Sequence, residues 1–324
     1  MTAKPKKQPT RSAGACISAG GTDMRFDFNA AAKRAQKDHP ELRGNMLFIH
    51  AGEVAPDAYA EDLVAQGVDD DDIAEVEKMV RDAKRLKTSF HLAVSREEKK
   101  NLGVLVFHPD RHAVFGEKPG AADDVATFDH ETGHALLPKF NGTKSENAAD
   151  GFAALRHFQR FDADARANLE YAGWKRAAVA MLLGKNSHLT TFTLDKIICD
   201  ADTANFSSLT PAQTKKIAAE YAEKCTPSAK RLAKISHDFA PLKKLKPQEA
   251  MEKLAAITLK AKTDSDTFYL GARVLAGAFR KGGIRLDGKK IDLSGNEHAQ
   301  LRTKLTAKLD KMPKNHPLRK LAVL

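Results

Sequence analysis

Along most of this chain apolar residues recur three and four positions apart, the period of a helix with one buried face. That period covers residues 26–37 and 58–87. It then governs almost everything beyond residue 164, over 165–183, 191–200, 211–224, 247–260, 266–280 and 297–308. Two short stretches break it. Residues 46–50 form a brief apolar run, and Gly103-Val-Leu-Val-Phe-His108 is compact and β-branched, so both predict strands. Pro109-Asp-Arg111 is turn material, and residues 112–115 are expected to return as the second arm of a hairpin. Asp69 to Asp72 precede the helical period of Ile73, Val76 and Val80, where carboxylates complement the positive end of the peptide dipoles. The same run lacks the alternating ligands and the glycine of a calcium loop. The expected fold class is therefore α+β and mostly helical, with a small N-terminal sheet over helices and a helical C-terminal region. No internal repeat is present, and no low-complexity linker marks a boundary expected near residue 205.

Residues 119–161 predict two further helices whose polar residues matter more than their apolar ones. Pro119-Gly120, Asp123 and Asp124 suit a helix start, and Pro138 ends the pattern. Inside it lies His130-Glu131-Thr132-Gly133-His134. Two histidines four residues apart stand one above the other on a helix, so both imidazoles can share one zinc ion. Glu131 is then close enough to take a proton from water on the metal. Pro138 and Asn141-Gly142 are residues that reverse a chain, and residues 146–161 read as a second helix folded back along the first. Catalytic zinc usually takes three protein ligands plus water, which leaves this pair one short. Glu146 and Asp150 share a face of the second helix, so Glu146 could be the third ligand while Asp150 fixes the tautomer of a ligand histidine. Two alternatives stay open. Thr143 to Glu146 has the spacing of a capping box, whereas an N-cap at Ser145 would free Glu146 for the metal. Asp150 is also a rival third ligand.

These residues resemble the zinc-binding core of the gluzincin metallopeptidases, the thermolysin-like superfamily. Its members carry H-E-x-x-H on one helix and E-x-x-x-D on the next. The resemblance spans about thirty-five residues, from near Phe128 to Phe161. It implies His130, His134 and Glu146 as ligands, Glu131 as general base and Asp150 as the acid that orients a ligand. It also implies a zincin-like core in which a strand before the zinc helix offers its edge to the substrate backbone. A His, Tyr or Arg from a later segment is implied as the donor that stabilises the oxyanion. Downstream candidates are His157, Tyr171, His188 and His237. His188 is favoured as this catalytic donor, because Lys185-Asn-Ser-His-Leu-Thr-Thr191 is a polar turn between two helices. Two features depart from the family pattern: the eleven-residue spacer between His134 and Glu146 is shorter than in thermolysin, and no Asn precedes Glu146. Both point to a compact, divergent relative. Gly-His-Ala-Leu after Glu131 is similar to zinc proteases that use an aspartate as third ligand, the other role open to Asp150.

Composition frames these expectations. The 324 residues, 42% hydrophobic and 29% charged, have the balance of a soluble globular protein. Residues 1–22, with Lys4, Lys6, Lys7 and Arg11 and no apolar core segment, are expected to be a flexible basic tail rather than a secretory signal. A zincin-like catalytic domain is expected over 23–205 and the helical region over 206–324. Cys16, Cys199 and Cys225 form no C-x-x-C pair and leave one thiol over, which fits a reducing cytoplasm. Signal-independent export would look the same. The longest apolar run, 177–183, is far short of a membrane span. A net charge of +11 supports a competing reading, a basic helical module for a nucleic-acid or protein partner in which H-E-x-x-H is accidental or non-catalytic. Against nucleic acid, there is no zinc finger or RNP-like strand, aromatics make up 6%, and the lysines recur at the spacing of solvated helix faces. The leading expectation is a zinc-dependent peptidase acting on peptide or protein substrates. The sequence does not indicate its oligomeric state.

Overall fold

In the computed structural model, which describes residues 17–20, 23–96, 101–109, 120–161, 164–286, 289–293, 298–314 and 316–321, both apolar runs are strands and lie side by side. The described residues begin with an antiparallel pair, β1 (Ile17–Gly20), which falls within the stretch expected to be a tail, and β2 (Asp23–Phe26), which falls just beyond it. Helix α1 (Phe28–Asp38) follows, capped by the Asp27 carboxylate, which accepts from Ala30 N at 2.9 Å. Strand β3 (Met46–His50) leads into α2 (Ala60–Ala65) and α3 (Asp70–Leu86). Asp69 is the N-cap of α3, and Asp70 to Asp72 fill its first turn, as the charge pattern predicted.

Strand β4 (Phe90–Val94) was not expected, and it completes a three-stranded sheet with β5 (Leu102–Phe107) at its centre. β3 runs parallel to β5, and β4 runs antiparallel to it. Alternation along these strands separates two faces. Ile49, Val94, Val104 and Val106 pack with Ile73, Val76 and Val80 of α3, while Met46, Leu105 and Phe107 pack with Phe128 on the other side. Burial on both faces explains why β5 reads as a continuous apolar run rather than an alternating one. The hairpin arm expected over 112–115 lies outside the described residues.

The face that holds Phe107 rests on α4 (Ala121–Leu136), which packs against α5 (Gly142–Phe161). Beyond these come α6 (Ala165–Leu182), α7 (Thr191–Asp200), α8 (Pro211–Cys225), α9 (Ala229–Phe239), α10 (Pro247–Lys260) and α11 (Asp266–Arg280). A hairpin of β6 (Gly283–Leu286) and β7 (Lys289–Asp292) interrupts the helical region before α12 (Ala299–Asp310) and α13 (Pro317–Leu321). The pattern had predicted neither α9 nor this hairpin. A second core joins α6 to the C-terminal helices through Trp174, Met181, Leu189, Ile235, Phe239, Phe268 and Leu275. At its margin Arg273, fully buried, donates to Asp195 at 2.8 and 3.0 Å, and the Tyr269 hydroxyl adds a third bond at 2.7 Å. Among the described residues no helix is long and apolar enough to cross a membrane.

Candidate metal centre

Helices α4 and α5 approach closely at Gly133, where a Cβ would stand 2.9 Å from Ala149 Cα. Any larger residue would force the helices apart, and with them the side chains one turn either way. The turn between them ends at Gly142, whose φ of +51° suits glycine. Because α5 starts there, Ser145 and Glu146 lie inside the helix rather than at its cap. Ser145 N donates to Asn141 O at 3.2 Å, so neither the capping box nor an N-cap at Ser145 is formed. Both side chains are left to point sideways at α4.

They meet the two histidines. His130 Nε2 lies 3.1 Å from His134 Nε2 and 3.4 Å from Glu146 Oε2, and His134 Nε2 lies 3.7 Å from Glu146 Oε1. A tetrahedral ion with bonds of about 2.0–2.1 Å places its ligand atoms about 3.3–3.4 Å apart, so this triangle has the size of one face of such a site. His130, His134 and Glu146 form a largely buried group that could hold a metal ion. Each imidazole is fixed through its other nitrogen, the arrangement metal-ligating histidines adopt. His130 Nδ1 is 2.6 Å from Asp150 Oδ1, and His134 Nδ1 is 2.9 Å from Ser145 Oγ. The two carboxylates are thereby separated. Glu146 sits on the Nε2 side of His130 and Asp150 on the Nδ1 side, facing away from the triangle.

Asp150 is held by two further residues. Arg176 of α6 donates to both of its oxygens, Nε to Oδ2 and Nη2 to Oδ1, each at 2.7 Å, and the Thr190 hydroxyl also donates to Oδ2. Sequence reasoning missed Arg176 because Lys175-Arg176 looks like an ordinary solvated pair. Its spacing was the available signal, since Arg176 shares a helix face with Gly173 and Ala180, small residues of a buried stripe. His188 does reach the group, with Nδ1 3.0 Å from Glu146 Oε2 and 3.4 Å from Arg176 Nη1. The other downstream candidates have partners elsewhere or none in view. His157 bonds Asn168 at 3.0 Å, Tyr171 packs on the second core beneath Lys281, and His237 is exposed. His91, on β4, was also missed. Its ring lies nearly parallel to that of His134, with centroids 6.2 Å apart, and its Nε2 is buried without a hydrogen-bond partner.

Burial and charge set the protonation of this cluster. Burial works against a charged His130, but Asp150 and Glu146 outweigh it and hold the imidazolium up at about 10. Burial and then the charge on His130 push His134 down to about 3, while burial alone takes His91 to about 4. Glu146 and Asp150 stay ionised despite burial, Glu146 through His130 and His188, Asp150 through Arg176 and His130. Glu131, buried, is raised to about 7, first by desolvation and then by the neighbouring Glu146 and Asp150, against the pull of His130 and Arg176. The protonated His130 Nε2 therefore faces the lone pair of His134, with a proton in the space an ion would take. Comparison with protein-family models, curated proteins and solved structures finds no match, so the chemistry of this cluster rests on its own geometry.

Proposed function

We propose that this chain is a zinc-dependent metallopeptidase of gluzincin type, hydrolysing peptide bonds with Glu131 as general base. One observation carries the reading: two imidazole Nε2 atoms and a carboxylate converge at ligand spacing beside a buried glutamate. Two histidines with one carboxylate, each histidine fixed from behind, is a donor set suited to zinc with a position left open. Zinc bound there would polarise a carbonyl oxygen and acidify water. Glu131, near neutrality, would take the proton of the attacking water and pass it to the departing amine. His188, one-third exposed, gives its Nδ1–H to Glu146, and in the imidazolium form its Nε2–H would donate to the developing oxyanion. Strand β4 pairs only with β5 among the described residues, and His91 places it beside His134, so its outer edge is where an extended substrate would add. The free thiols of Cys199 and Cys225 fit a cytoplasmic setting.

The test separates metal from chemistry. One zinc per chain is expected, lost in His130→Ala and His134→Ala and weakened in Glu146→Ala. Glu131→Gln should keep the zinc while peptide hydrolysis disappears. Full zinc occupancy in both histidine variants would refute the site, and undiminished cleavage by Glu131→Gln would refute the base. A wild type that holds zinc yet cleaves nothing across a broad peptide library would favour a non-catalytic binding protein.

A further inference from the structure

The loop that carries His188 to the metal group is anchored on its far side by the C-terminal helices. Helix α6 ends at Leu182, and Gly184 turns the chain with a φ of +70°. The Lys243 side chain covers that turn, its Cε 2.7 Å from where a Cβ would stand. Asn186 Nδ2 then donates to Ser236 Oγ of α9 at 2.5 Å. Leu189, fully buried, shares a core with Ile235, Phe239 and Leu242. On its near side the same loop touches α5 three times. His188 meets Glu146, Leu189 O accepts from Asn147 Nδ2 at 3.3 Å, and the Thr190 hydroxyl donates to Asp150. Seven residues thus bridge the C-terminal core and the metal face of α5.

Internally the bridge is weak. It is a three-residue 3-10 turn, Asn186–His188, closed by short-range bonds such as His188 N to Lys185 O at 3.0 Å. Burial of Leu189 and the bonds that Leu189 O and the Thr190 hydroxyl make to α5 pin the C-terminal end of the bridge as one point. The Asn186–Ser236 bond supplies the second point. We infer that Ser236 is a positioning residue, acting through Asn186 to hold His188 against Glu146, so that α9 is a working part of the site. This rests on the metal-centre reading above. Its consequence is measurable in metal binding as well as turnover, because a displaced His188 takes from Glu146 Oε2 the bond that orients it from outside the ligand triangle.

The experiment is zinc affinity by chelator competition on the full-length chain, with thermal stability recorded in parallel. His188→Ala should weaken zinc about tenfold, the low end for partners of metal ligands, and Ser236→Ala about threefold, because it acts one residue further out. Ser236→Thr, which keeps the hydroxyl, should restore wild-type affinity. The decisive variant is the double, Ser236→Ala with His188→Ala, which should bind zinc as His188→Ala does, since no His188 remains to be positioned. The inference is overturned if Ser236→Ala leaves affinity unchanged, or weakens it equally with and without His188. A wild type that binds no zinc would instead defeat the metal-centre reading. The inference is then decided by the His188 ring resonances of the metal-free protein, which Ser236→Ala must shift and Ser236→Thr must not.

Discussion

Replacing Asp150 by Asn keeps the shape of the side chain and removes one charge from a carboxylate that serves two neighbours at once. Toward His130 the carboxylate accepts from Nδ1 at 2.6 Å and aims Nε2 at the triangle. Outer partners of this kind contribute about 10- to 100-fold in metal affinity, which is about 1.4–2.8 kcal/mol. Toward Arg176 it accepts two bonds at 2.7 Å. Removing one member of a buried pair costs about 3–5 kcal/mol, but the Arg176 side chain keeps 24% of its surface in water, so a discounted cost of about 2–3 kcal/mol is expected. Asp150→Asn should therefore lose stability without metal and bind zinc 10- to 100-fold more weakly. Urea unfolding of the metal-free protein measures the first effect and chelator competition the second. If the variant unfolds more easily yet binds zinc like wild type, Asp150 pairs with Arg176 alone and does not orient His130.

Gly133→Ala should destabilise the fold by about 1–3 kcal/mol through overpacking against Ala149, and should weaken zinc by spreading the ligand triangle. Unchanged stability and affinity would show that α4 and α5 can separate without cost. Zinc binding at pH 7 should release between one and two protons, read from calorimetry in buffers of different ionisation enthalpy, and heats independent of the buffer would contradict the charge assignments of the cluster.

The metal group was legible because each half lies within one helical turn, His130 to His134 and Glu146 to Asp150, where sequence spacing and spatial spacing agree. The partners that orient it were not. Arg176 and His91 arrive from α6 and β4, and no local pattern says which helix face or strand will be laid against α4. The role of Ser145 was hidden by an error of four residues in the start of α5, since a helix beginning at Gly142 turns an apparent cap into an interior side chain. Strand β4 was missed although Phe90, Leu92 and Val94 alternate onto the α3 face, because a run of five residues is short and its place is decided by pairing with β5. Two other omissions had a signal. Ser228 caps α9 ahead of Leu232, Ile235 and Phe239 at helical spacing, and Asp287-Gly288 between Ile284 and Ile291 is a hairpin sequence.

The charges of the cluster explain why a site built this way can fold before it meets an ion. Without metal, the cations are His130 and Arg176, and the anions are Glu146 and Asp150, which balance. Glu131, at about 7, can be neutral in that state, and His134 and His91 are neutral well below pH 7. A divalent ion adds two positive charges to a buried space, where an uncompensated charge is costly. Compensation is available from the same residues. His130, held protonated up to about pH 10, must give up its Nε2 proton to bind, and Glu131 beside a cation gives up its own. The cluster is then Arg176 and the ion against Glu146, Asp150 and Glu131, again balanced. The sign of the pH dependence follows. Below about pH 10 every ion bound displaces the His130 proton, so apparent affinity should rise about tenfold per pH unit, and more steeply below about pH 7, where Glu131 also starts protonated. The metal-free fold runs the other way: the raised His130 stabilises it fully below the ordinary histidine value of 6.5 and ceases to do so as pH climbs past about 10. A zinc affinity flat between pH 6 and 8 would mean that His130 carries no proton in the metal-free protein, and the exchange of protons for metal would fail with it.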